Sequence, residues 1–337
     1  MIKVRNKKVI LISFVFILFI LNSCKKTSTG VENYNKKAAY VSSYVSDFDI
    51  RGNVDNLYVF YDKDGNYLEH YKFNALTGHG LATNDFIYYY GKKGIVKLDR
   101  TKKTIEKISD APTDNIDIDN NKLYYTENNG YLNYPHPKYD AKICQFQGDC
   151  LEFENHLSFK ILDGKAYVKL NQYDKDTLES YYVLRVYDLK NKKILEESKI
   201  GNNEKLFKIK NKIFILREDK KLYNYHTKEE VFDFNIYPDL LVDDIYVDYK
   251  DEVIAVISNL LVLTNNKERK TILYNITKNK EELNLDENAF IYHSTYSKNT
   301  IKNKMRADYF ENIFTNEKIQ YKKLGDKYTF SETFALD

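Results

Sequence analysis

The sequence predicts an all-β protein, a β-propeller of seven four-stranded blades, behind an N-terminal export signal. Three observations predict it. From about residue 38 onward there is no long stretch with apolar residues at i, i+3, i+4 and i+7; short runs rich in Tyr, Ile, Val, Phe and Leu alternate with clusters of Asn, Asp, Lys and Gly. The chain carries 31 Tyr and 19 Phe but only 4 Pro and 12 Gly, and aromatic and β-branched residues suit a pleated, half-buried surface. Finally, a strand–turn–strand unit recurs about every 42 residues, the spacing of propeller blades.

The N-terminus stands apart from this pattern. Lys3, Arg5, Lys7 and Lys8 precede an unbroken apolar run from Val9 to Leu21. That run is short for a bilayer span and has the length of a signal-peptide core. It ends in Leu21-Asn22-Ser23-Cys24, which resembles the bacterial lipobox, with Leu at −3, a small residue at −1, and then Cys. The resemblance implies that residues 1–23 are a lipoprotein signal peptide and that Cys24 is lipidated, carrying fatty acids such as palmitate. The protein is then held by its lipid on the extracytoplasmic face of a bacterial membrane. Several acyl chains at roughly 0.8 kcal/mol per buried methylene anchor stably. Residues 24–37, polar and without apolar periodicity, read as a flexible tether. Residues 38–337 form the propeller domain.

The repeating unit is an apolar strand, a polar turn, and another apolar strand. Tyr58–Tyr61 leads into DKDGN, Ile95–Leu98 into DRTKK, Leu184–Tyr187 into DLKNKK, Leu222–Tyr225 into HTKEE, Ile272–Tyr274 into NITKNKEE, and Tyr309–Phe310 into ENIFTNE. The interval between Asp99 and Asp188 is about twice the others, so it holds one disguised copy. The repeats expected are 38–74, 75–110, 111–155, 156–200, 201–235, 236–285 and 286–327. Tyr328–Asp337 alternates apolar and polar residues and reads as a spare strand that completes the first blade. Radial stacking covers both faces of each small sheet. Rings of six or eight blades, and two stacked β-sandwiches, are the competing architectures; the sandwiches predict no 42-residue period. The hairpins are similar to bacterial quinoprotein and YVTN-type propeller repeats. The absence of Trp, the scarcity of Gly and the missing Gly-Thr turns limit what that resemblance implies to the fold, with no cofactor.

Charge and motifs bound the function. Lys and Arg number 52 against 49 Asp and Glu, and removing the signal peptide's four cations leaves a formal charge of −1. A near-neutral surface makes nucleic acid a poor partner. Cys144 and Cys150 flank a Gly-Asp turn and are expected to pair as a disulfide outside the cytoplasm. A metal site combining them with His136 or His156 lacks zinc spacing, and no metal is expected. Asp62–Asn66 and Asp117–Asn121 resemble calcium loops but lack Gly at position six, and read as turns. No nucleophile elbow, P-loop, metalloprotease or dinucleotide motif is present, so no catalytic residue is assigned and no enzyme activity is inferred. Two longer stretches, 171–180 and 297–304, and the insert from Tyr131 to Asp140 are candidate binding loops. In the insert, Tyr131, Tyr134, His136 and Tyr139 form a candidate contact patch for an envelope protein or glycan. The expected function is a membrane-anchored binding or scaffolding module at the cell envelope. The alternatives are a propeller enzyme acting on envelope or extracellular polysaccharide and, below it, the solute-binding lipoprotein of a transporter.

Overall fold

The computed structural model describes residues 30–46, 56–73, 79–91, 93–128, 140–154, 156–174, 176–177, 179–259, 270–285, 289–291, 301–304, 308–322, 324–325 and 328–336. Cys24 and the Tyr131–Tyr139 patch lie outside these residues. Within them the chain is a β-propeller of four-stranded antiparallel blades. After β1 (Val31–Asn33) come β2 (Tyr40–Ser46), β3 (Asn56–Tyr61) and β4 (Tyr67–Phe73) of the first sheet. The second holds β5 (His79–Ala82), β6 (Phe86–Gly91), β7 (Gly94–Asp99) and β8 (Thr104–Ser109). The third holds β9 (Ile116–Asp119), β10 (Lys122–Asn128), β11 (Asp140–Gln145) and β12 (Cys150–Glu154). The fourth holds β13 (His156–Leu162), β14 (Lys165–Tyr173), β15 (Ser180–Asp188) and β16 (Lys193–Ile200). The fifth holds β17 (Lys205–Ile209), β18 (Lys212–Leu216), β19 (Lys221–Asn224) and β20 (Glu230–Asp233). The sixth holds β21 (Leu241–Val247), β22 (Val253–Ser258), β23 (Thr271–Asn275) and β24 (Lys280–Leu285). The seventh holds β25 (Ala289–Ile291), β26 (Ile301–Lys304), β27 (Tyr309–Asn312) and β28 (Lys318–Gln320), before β29 (Tyr328–Ala335).

Apart from β1 and β29, the strands of each sheet fall inside one expected repeat. β29 returns to the first sheet and pairs with β2, giving the order β29-β2-β3-β4. First strands of successive sheets touch one another, β9 with β13, β13 with β17 and β17 with β21. These strands, with β29, therefore face the axis.

The sequence's recurring turn has one physical cause. At the end of each third strand an Asp or Asn side chain accepts backbone N–H groups two to four residues on. Asp188 Oδ1 accepts from Lys190 and Asn191, Asn224 Oδ1 from His226 and Thr227, and Asn312 Oδ1 from Phe314 and Thr315. Asp62, Asp99 and Asn275 do the same. The turn then closes through a left-handed residue: Gly65, Lys103, Lys192, Lys228, Asn279 or Asn316. Asp62–Asn66 is thus a hydrogen-bonded turn. So is the Asp117–Asn121 segment, where Asn120 and Asn121 both take positive φ, the backbone of a two-residue hairpin. The disguised third copy departs because its outer hairpin turns through Phe146–Asp149 beneath the Cys144–Cys150 bridge.

Two expectations need correction. Residues 31–37 are not free tether: β1 adds a fifth strand to the second sheet through β8. Tyr34 is buried, its ring 4.6 Å from Phe60 and its hydroxyl donating to the Asp99 carbonyl. An open strand edge and a large apolar ring outweigh the polar composition. The stretch 171–180 is a hairpin extension: β14 and β15 pair out to Tyr173 and Ser180, leaving only a short turn.

Burial follows the seams. Among the described residues the apolar core is divided into clusters that each lie between neighbouring sheets. The largest include Tyr58, Tyr89 and Phe334 between the first and second sheets, and Leu222, Ile257 and Ile272 between the fifth and sixth. Among the described residues, Ile254, Val256 and Leu273 are the buried members of the cluster on the sixth sheet's side facing the seventh, with Ile313 packed against them.

Candidate functional site

A cleft of ≈ 240 Å³ lies between the sixth sheet and the β27–β28 turn. Alternation along β22 and β23 turns Ile254 and Leu273 into its floor, joined by Leu283 and Ile313. Tyr246 and Phe314 form aromatic walls. Phe314 is an apolar residue in mid-turn, 43% exposed, and meets Tyr249 edge-on at 5.3 Å. It follows Ile313 and precedes Thr315 and Asn316 in the turn.

Asp248, Lys250, Glu252 and Glu282 supply the rim. Asp248 Oδ1 accepts from the amides of Lys250 and Glu252, which fixes the β21–β22 turn. Fully buried Asn275 donates to both Glu252 and Glu282, at 2.6 and 3.0 Å, holding the two carboxylates on one side. Lys278 bonds Glu252 and keeps its carboxyl below the usual range. Burial, then the charges of Asp244 and Asp248, push the Tyr246 hydroxyl well above its ordinary value, so it stays neutral. Lys250 hangs over the rings of Tyr249 and Phe314 at 5.3 and 5.6 Å. The aromatic wall therefore already accepts a cation. Lys280 also lies 3.2 Å from Glu282, so a bound chain that is apolar along its stem and positive at its tip would share these carboxylates with the protein's own lysines.

A second polar cluster lies on the axis. Lys208 on β17 reaches Asp117 at 3.0 Å and Asp119 at 4.0 Å on β9, and donates to the carbonyls of Ile118 and Ile161. Asp117 in turn accepts the Ile161 amide at 2.5 Å. One ammonium thus joins the first strands of three successive sheets, and these inward acids are already neutralised. Elsewhere, burial and then the charges of Glu332, Asp244 and Asp114 raise the Tyr90 hydroxyl above its ordinary value.

Of the sequence-selected residues, the structure joins Cys144 and Cys150, which face each other on β11 and β12. Glu127 lies close enough to complete a three-ligand metal set, but both sulfurs are committed to the bridge. The cleft left no motif in the sequence because its residues come from four strands and a turn of the sixth sheet and one turn of the seventh. The one usable signal was Phe314, a large apolar residue within ENIFTNE.

No protein-family profile and no curated protein sequence matches the chain. Solved structures do resemble it. Apo AztD from Citrobacter koseri superposes with a TM-score of 0.55 at 9% identity, covering 88% of this chain and 98% of that one. The β-propeller domain of the Trilobed protease from Pyrococcus furiosus gives 0.50 at 12%, covering 92% and 98%. The acylaminoacyl peptidase of Pyrococcus horikoshii gives 0.50 at 12%, covering 88% of this chain and 54% of that one. At such identities the likeness is one of fold, a β-propeller.

Proposed function

We propose that the protein is a lipid-anchored, extracytoplasmic propeller whose seven sheets act as the blades of one ring and which binds a partner at the cell envelope. The blade count is supported by the seven sheets and by the apolar clusters between neighbours. The likeness of Leu21–Cys24 to a lipobox supports the location, and a Cys24→Ser chain is expected to lose both palmitate incorporation and membrane fractionation.

The observation that carries the binding role is the cleft: an apolar floor under Phe314, rimmed by carboxylates that Asn275 fixes in place. It suits a basic side chain of a partner polypeptide, with its methylene stem on Ile254 and Leu273 and its cation beside Glu282 and Phe314. The test is fluorescence binding of labelled hexapeptides alternating Arg with Leu, against peptides alternating Glu with Leu. The Arg peptide is expected to bind, and Phe314→Ala and Glu282→Gln to weaken it by roughly tenfold each, or about 1.4 kcal/mol. Equal binding of the two peptides overturns the reading.

A second reading, hydrolysis of envelope polysaccharide, draws on the acids around Tyr90. It requires sugar release that Asp244→Asn abolishes.

A further inference from the structure

The C-terminal strand that completes the first sheet carries a buried acid with no cation paired to it among the described residues. Glu332 on β29 is 8% exposed and stands opposite Ser43 of β2. One carboxyl oxygen receives the Gly80 amide of β5, while its Oε1 has no partner among the described residues. Gly80 is there because nothing larger fits: a Cβ would lie 2.7 Å from Glu332 Oε1 and 2.5 Å from the ring of Phe334. The backbone of the second sheet therefore closes directly over this side chain.

Among the described residues, the titratable groups that feel the Glu332 charge are tyrosines. Tyr58 comes from β3, and Tyr89 and Tyr90 from β6; each is raised first by burial and next by the Glu332 charge. The hydroxyls of Tyr58 and Tyr89 also lack partners among the described residues. His79, next to Gly80 on β5, packs its ring on Tyr90 at 5.7 Å. Glu332 in its ionised form would be a desolvated charge at the seam between the first and second sheets.

We propose that β29 is a proton-linked latch: it seats in the first sheet with the Glu332 carboxyl neutral, and loss of that proton loosens the junction between the first and second sheets. Burial holds this carboxyl up to about 8, against 4.5 in the free chain. Between these values the detached strand has released its proton and the seated strand has not. The seat is therefore strongest below about pH 4.5, weakens as the pH rises towards 8, and changes little above that.

The test is hydrogen exchange on the full chain at about pH 5 and about pH 8, corrected for intrinsic rates. Protection of residues 328–336 is read relative to β14 and β15, which carry no buried acid. The ratio is expected to fall by roughly tenfold or more in the wild type and to stay flat in Glu332→Gln, with Glu332→Met as a second neutral variant should the first not fold. A constant wild-type ratio, or the same fall in a neutral variant, overturns the proposal.

Discussion

At the scale of single residues, the structure places charge where it is most consequential. Lys208 is about as buried as the acids it joins, with side-chain exposures of 15% against 11% for Asp117. Removing one partner of a buried pair leaves the other desolvated and unpaired. Lys208→Met is therefore expected to cost about 3 kcal/mol, measured by denaturant unfolding, whereas Lys210→Met, whose partner Asp251 is largely exposed, is expected to stay within about 0.5 kcal/mol. Gly65 marks a different residue-scale constraint. It takes φ +80 and its missing Cβ would lie 1.9 Å from the Gln320 carbonyl of β28. Gly65→Ala is expected to cost about 2 kcal/mol or more, because strain and a backbone clash act together.

At the scale of elements, the repeated Asp or Asn turn explains why the hairpins were visible in the sequence. A short side chain that caps two or three amides, followed by a left-handed residue, leaves a readable pattern of Asp, Asn, Lys and Gly. Asp188→Ala is expected to lower stability by about 1 kcal/mol, since three donors from Lys190 and Asn191 lose their acceptor. The Cys144–Cys150 bridge closes a small loop, so the double Ser variant is expected to lose about 2 kcal/mol, with faster exchange confined to β11 and β12. Prediction from composition misled at β1. Val31–Asn33 is exposed and polar by sequence, yet the unpaired edge of β8 offered it backbone partners. Only the neighbouring strand makes that segment a strand.

At the scale of the whole molecule, closure joins the two ends of the domain. Lys103 donates to the carbonyls of both Ala38 and Leu336, and the Leu336 amide bonds the Ala39 carbonyl. Phe334 and Leu336 are buried in the same cluster as Tyr34. Deleting residues 328–337 is accordingly expected to destabilise the entire ring rather than one sheet, seen as a lowered midpoint of unfolding by circular dichroism.

The sequence by itself determined the strand class, the 42-residue unit, the closing strand and the cysteine pair. Those features rest on local chemistry: side-chain alternation, amide-capping turns and two thiols across a hairpin. The tertiary structure alone decided which seam holds the cleft, which acids met a cation, and which carboxyl was buried against a neighbouring sheet's backbone. Neighbouring sheets come from segments tens of residues apart, and the fit between their faces has no imprint on any short stretch of chain.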